Sequence, residues 1–342
     1  MASSVPRRNS RRVPPPPTHP LHHDATPLQH DAYTLRALFC GFACIAGASL
    51  FRSTAKMTSN GSFMRRVLAG ALPSPEDIIE YLIAFHSEKP SATSATMKQL
   101  RTGSGLSSYD LLADVLAAEG PEALLDVGCG DGALLEAVAL RVPTVSLFGV
   151  DISDAELELA SLRLAAHSKT LLAADMNALP FPNERFDAVA AHLVLMLLPD
   201  PLAALREIRR VMRSGSLLAF SVPMSSSHDE AWEETNRVLF AKIREHFPLF
   251  RPPDPCDSRV ESREGIAALL KSAGYTQPPH FSEFVVSADI LRAQLWEILA
   301  NRYVVGSLPE PLSGELESIV TRADASKTFR YSAAIRQVYV RR

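Results

Sequence analysis

The sequence is poor in cysteine: four in 342 residues, Cys40, Cys44, Cys129 and Cys256, with no C-x-x-C pair. That excludes a disulfide framework and a cysteine zinc site, and a chain this long needs no covalent staples. The folded part therefore reads as a protein of a reducing compartment, cytoplasmic in the first instance. No group of side chains has metal-ligand spacing, so no metal is expected. A large excess of one charge is also missing. The 35 basic and 38 acidic side chains leave a net charge of −3, and nothing suggests a nucleic-acid partner. Long apolar runs are absent too. Residues 38–51 form a run of fourteen without a charge, short of the about 20 needed to span a bilayer.

What is present is 46% apolar and 21% charged, close to globular averages, which excludes a mostly disordered chain. Charge is unevenly spread: residues 1–60 carry +5, leaving −8 for the rest. Residues 1–31, with Pro14 to Pro17 in a row and scattered Arg and His, hold too few apolar groups to offset the entropy of ordering. The expected layout is a disordered basic, Pro-rich tail over 1–56 that includes the apolar run, a helical linker over 57–105, and one domain over 106–342. The tail has two alternative readings: a mitochondrial or membrane-associating segment, or an extension preceding a start at Met57 or Met64. A helix beginning at Pro75 is followed by a polar loop from Pro90 to Gly105, and then by a helix capped by Ser107 or Ser108.

From Ala123 short apolar runs alternate with amphipathic stretches. Strands are predicted at 123–127, 145–150, 170–174, 186–191, 217–222 and 335–340, with helices at 133–140, 155–166 and 202–212. Strands separated by helices of this length make βαβ units, hence a parallel sheet covered on both faces. At the end of the first strand stands Leu124-Leu-Asp-Val-Gly-Cys-Gly-Asp-Gly-Ala-Leu134. Three glycines at alternate positions suit a turn whose bare backbone a ligand approaches. Gly128-x-Gly130-x-x-Ala133, with Asp151 21 residues after Gly130, satisfies the loose dinucleotide fingerprint. Asp126 argues against that ligand. An acid inside an apolar strand is costly to bury unpaired; it disfavours a nearby pyrophosphate and could hold an ammonium group.

Together with Gly149-Val-Asp-Ile-Ser153 and Ala174-Asp-Met-Asn-Ala-Leu-Pro-Phe-Pro-x-x-x-Phe-Asp187, this stretch resembles the successive motifs of class I S-adenosylmethionine-dependent methyltransferases of the small-molecule, type 11-like kind. The resemblance implies a Rossmann-like, doubly wound, seven-stranded, mostly parallel α/β sheet with S-adenosyl-L-methionine as cofactor. It implies that Asp126 and the loop Gly128, Gly130 and Gly132 hold the methionine end. Asp151 would accept the ribose hydroxyls, Ile152 would pack on the adenine, and Asp175 would take its amino group beside the Met176 backbone. His192 would line the space near the sulfonium, with a possible role as catalytic base. From their position just before the core, and not from the resemblance, Arg101 and Tyr109 are expected to close over the cofactor carboxylate. Val211-Met-Arg-Ser-Gly-Ser216 departs from the family's Pro-Gly-Gly turn but retains Gly215.

Methyl transfer from a sulfonium chiefly needs alignment and exclusion of water. The acceptor is expected to be a small molecule, recognised by helical lid insertions at about 223–262 (Trp232, Phe240, His246, Phe247, Phe250) and 288–325 (Trp296, Tyr303). Two other functions stay open: an assembly factor or other user of the same cofactor, and an NAD-dependent oxidoreductase.

Overall fold

The computed structural model describes residues 59–224, 230–250, 257–322 and 328–342. The expectations for 1–56 and Met57 lie outside these residues, as do 225–229 and 251–256 of the first insertion and 323–325 of the second. Among the described residues no helix is long and apolar enough to cross a membrane.

The chain enters through α1 (Ser59–Leu68) and α2 (Pro75–Glu88). Helix α2 starts where Pro75 needs no amide donor. Ser74 caps it, with Asp77 returning a bond to the Ser74 amide. The stretch from Pro90 to Gly105 is not all loop. It contains α3 (Ala92–Met97), whose Ser94, Thr96 and Met97 are buried. Polar composition suggested exposure, but Ser94 is satisfied inside the fold, donating to Asp131 at 2.6 Å. Of the two candidate caps for α4 (Ser108–Ala118), Ser107 is the one used, in a reciprocal pair with Asp110.

Then follow β1 (Ala123–Val127), α5 (Ala133–Ala139), β2 (Ser146–Asp151), α6 (Asp154–Arg163), β3 (Lys169–Ala173), β4 (Phe186–His192) and α7 (Pro201–Val211). The chain continues through β5 (Met212–Met224), α8 (Glu230–His246), α9 (Arg263–Ser272) and β6 (His280–Leu291). It ends with α10 (Leu295–Ala300), α11 (Leu312–Arg322) and β7 (Thr328–Arg341).

Seven strands form one sheet in the order β3-β2-β1-β4-β5-β7-β6. The first five are parallel, and β7 runs against both β5 and β6. Every residue of β1 is buried, as expected for a parallel strand with helices on both faces. The doubly wound, Rossmann-like α/β architecture expected from the motifs is the one observed. Strand β6 is the element that was not placed in sequence. It lies at the sheet edge with few buried positions, so it lacks the apolar run of the central strands, and its last residues occupy the start of the expected helical insertion at 288. The predicted turn at 211–216 spans the last residue of α7 and the early part of β5, where the pairing with β4 shifts register between Phe186 and Ala188.

The chain winds outward from β1 to β2 and β3, then returns to place β4 on the other side of β1. Strands β1 and β4 therefore bound the topological switch point, where the loops at their carboxyl ends diverge and leave a crevice.

Candidate functional site

A cavity of about 380 Å³ opens at this switch point, within the range of small-molecule sites. Strand β1 brings Asp126 and the glycine loop to it. Strand β2 brings Asp151 and Ile152, the turn after β3 brings Asp175 and Met176, and β4 brings His192. Tyr109 of α4 completes the set. Residues spread over 84 positions of sequence thus meet because four parallel strands end at one edge.

The loop geometry explains two of the glycines. Gly128 has φ +70, and a Cβ there would stand 2.6 Å from Val194 Cγ2, so the loops after β1 and β4 touch through it. Gly130 has φ +50, and a Cβ there would stand 3.8 Å from Glu156 Oε2; its N–H donates to Asp151 Oδ2 at 2.8 Å. The other oxygen of Asp151 accepts the Ser153 N–H at 3.0 Å. Asp151 is therefore aimed by two backbone amides while carboxylate lone pairs are left over.

Asp126 is 1% exposed, and its Oδ1 has no hydrogen-bond partner. Burial, reinforced by the nearby Asp151 charge, pushes its carboxyl up to about 8. Burial moves His192 the other way, down to about 3. The Ser221 hydroxyl meets its Nδ1, the Ser108 hydroxyl lies 3.2 Å from Nε2, and the Tyr109 ring packs 4.3 Å away. These surroundings weigh against the expected role of His192 as a catalytic base. An imidazole that stays neutral far below its usual range, with a hydroxyl on each nitrogen, is a poor proton acceptor. It remains part of the cavity wall.

Two expected residues fall outside the lining. Gly132 caps α5 and packs against Ala160 of α6. Arg101 is exposed, and its backbone forms an isolated bridge with Ser287 of β6. The pairing sets the Arg101 backbone beside the edge strand β6. The lid expectation also changes. Among the described residues, 223–262 contributes nothing to the lining, because Phe240 and Phe250 are spent on the core. The outer wall comes from Ile79, Leu82, Ile83 and His86 of α2, with Tyr303 from the second insertion.

Sequence reasoning missed His86, Glu156 and Asp131. Glu156 and Ala160 are the buried residues of α6, so an acid one turn from a small apolar residue was a readable signal for a buried carboxylate. For His86 no comparable signal exists, since its partners lie 70 and 217 residues away. Asp131 is buried between Ser94 and Arg163.

A glycine-loop cavity at the switch point of a doubly wound sheet, lined by acids at the ends of β1, β2 and β3, defines a nucleoside-cofactor fold. Residues 125–220 match the family model described as a methyltransferase domain. An uncharacterized methyltransferase of Mycobacterium tuberculosis is 32% identical over 172 residues, covering 48% of this chain and 86% of that protein. The malonyl-[acyl-carrier protein] O-methyltransferase of Hahella chejuensis is 31% identical over 179 residues, covering 46% and 62% respectively. Among solved structures, a SAM dependent methyltransferase from Aquifex aeolicus superposes with a TM-score of 0.39 at 15% identity, covering 78% of this chain and 98% of that one. The chain belongs to the class I S-adenosylmethionine-dependent methyltransferase family.

Proposed function

We propose that the chain transfers a methyl group from S-adenosylmethionine to a small-molecule acceptor by in-line displacement. The observation that carries this reading is the meeting, in one cavity, of an orphaned, buried Asp126 oxygen with the glycine loop beside Asp151. These residues fit the cofactor. A cationic ammonium supplies what the Asp126 carboxyl lacks and draws it to the ionised form. The unused lone pairs of Asp151 suit a ribose diol. Ile152 and Met176 offer apolar contact to a flat base, and Asp175 offers an acceptor for an exocyclic amine. When bound, the cofactor supplies an electrophilic methyl carbon on a good leaving group. The chain's own part is to hold the acceptor in line at about 3–3.5 Å and to exclude water. His192 serves as a fixed, neutral wall, and Tyr109 packs against it.

The malonyl-[acyl-carrier protein] relatives raise a second reading, a carboxylate acceptor on a carrier protein. The described lining holds no Lys or Arg to receive such an anion, which favours the small uncharged acceptor.

Calorimetric titration of the full chain with S-adenosylmethionine and, separately, NAD tests the proposal. Micromolar binding of the sulfonium cofactor, lost in Asp151→Ala, is expected. No binding of it overturns the proposal, and binding of NAD instead restores the dinucleotide reading of the glycine loop.

A further inference from the structure

Two imidazoles line the cavity, and their surroundings differ in kind. His192 is flanked by hydroxyls alone. His86 is held by a carboxylate: its Nδ1 lies 2.8 Å from Glu156 Oε1, and its Nε2 lies 2.9 Å from the Tyr303 hydroxyl. Glu156 is only 3% exposed, and its second oxygen accepts the Ser91 N–H at 2.9 Å, so its position is fixed. An ionised carboxylate can only accept, which puts the ring proton on Nδ1. In the neutral ring Nε2 then accepts from the phenol. A buried acid thus orients an imidazole whose basic nitrogen meets the hydroxyl of Tyr303, a residue of the cavity lining, the arrangement that activates a hydroxyl.

Where this group sits suggests what it meets. His86, Glu156 and Tyr303 come from α2, the first turn of α6 and the segment after α10. None belongs to the residues proposed to hold the cofactor. They adjoin the apolar wall of Ile79, Leu82 and Ile83 that α2 adds to the cavity. The described lining holds several carboxylates and no Lys or Arg of its own, and Arg163, which pairs with Asp131, stands outside it, so an anionic acceptor would meet an acidic wall that a neutral one would not.

Building on the methyl-transfer reading, we propose that the acceptor is a small, uncharged hydroxyl compound, and that Tyr303, His86 and Glu156 form the relay that takes its proton. As the acceptor oxygen bonds to the transferred carbon, its O–H bond breaks and the proton passes to the Tyr303 oxygen. The Tyr303 proton passes to Nε2 of His86, and the electron pair of the broken carbon–sulfur bond stays on sulfur. The positive charge lost from sulfur reappears on the imidazolium, beside Glu156. Tyr303 is the catalytic residue in this scheme; His86 and Glu156 act through it.

Two measurements on the full chain test the relay. The first is the imidazole ¹⁵N spectrum, with His86 assigned by His86→Asn. The neutral Nδ1–H tautomer is expected for His86, perturbed in Glu156→Gln; an Nε2–H tautomer overturns the relay whatever the acceptor. The second compares methyl transfer from S-adenosylmethionine to phenol, which keeps its proton at pH 8, and to 4-nitrophenol, which is largely ionised there. Tyr303→Phe is expected to lower transfer to phenol by about 100-fold or more and to 4-nitrophenol by less than about threefold. Equal losses on the two probes, or faster transfer to malonyl-acyl carrier protein than to phenol, overturn it. If neither phenol accepts, the tautomer decides. Calorimetry on the same samples separates the two ideas: a wild-type chain that does not bind S-adenosylmethionine refutes the methyl-transfer reading rather than the tautomer.

Discussion

Asp126 and His192 titrate in opposite senses, and their signs give a measurable pH signature. Asp126 rises from 3.8 unfolded to about 8 folded, so the folded chain holds an extra proton between those values. Its contribution is fully present below pH 4 and is lost as pH rises to about 8. His192 falls from 6.5 to about 3; its contribution is present above pH 6.5 and is lost as pH falls. Between about pH 4 and 6.5 the two slopes cancel, and above 6.5 the Asp126 slope remains. In the ligand-free chain Asp126→Asn should therefore stay flat above pH 6.5 and lose stability below it. Urea unfolding midpoints at pH 5, 6.5 and 8 check this, and a wild-type-like profile in the variant would refute the assignment. Gly128 gives a second expectation at this scale. Gly128→Ala should destabilise by about 1–3 kcal/mol, because it combines a left-handed φ with a methyl driven into Val194. Val194→Ala should recover part of that loss by removing the clash.

Among the elements, α2 is the one that turns a generic crevice into a walled cavity. It docks on the second insertion through Tyr81, whose hydroxyl donates to the Tyr303 carbonyl and lies 3.0 Å from Ser307 Oγ, and through Phe85, whose ring packs 4.5 Å from that of Tyr303. Lys89 adds a bond to the Ala300 carbonyl at the end of α10. Tyr81→Phe should cost about 1 kcal/mol of stability, with faster amide exchange over residues 295–307 but not over β1 or β4. Uniform acceleration across the chain would mean that α2 and the insertion unfold only with the sheet. At the other side of the cavity, Ser107→Ala should loosen α4 by about 1 kcal/mol. That helix carries Ser108 and Tyr109 against His192, so the ring environment of His192 should report the change by NMR.

At the scale of the whole molecule, folding and ligand binding are linked through the same cavity. S-adenosylmethionine at 100 times its dissociation constant should stabilise the chain by about 2.7 kcal/mol. Binding of its ammonium group should also release the Asp126 proton. The calorimetric enthalpy at pH 7 is then expected to differ between phosphate and Tris buffers, and the difference should vanish in Asp126→Asn. A buffer-independent enthalpy in the wild type would mean that Asp126 does not ionise on binding.

How far all this could be read from the sequence follows from the range of the interactions involved. The central strands and their helices were legible because burial on both faces makes continuous apolar runs, and because caps such as Ser107 with Asp110 act over three residues. The glycine loop, Asp151 and Asp175 were legible for the same reason: each stands at a strand end whose position the local pattern reveals. Strand β6 was not, because an edge strand buries little and is defined by its partner β7. The placement of Arg101 depended on that same edge. The altered titration of His192, the orphaned oxygen of Asp126, and the meeting of His86 with Glu156 and Tyr303 were decided by tertiary structure alone. Burial and hydrogen bonding are set by what packs nearby, and here the neighbours lie up to 217 residues apart. Local pattern determined where the chain turns toward a ligand; only packing decided which side chains are dry, paired and aimed into the space that ligand would occupy.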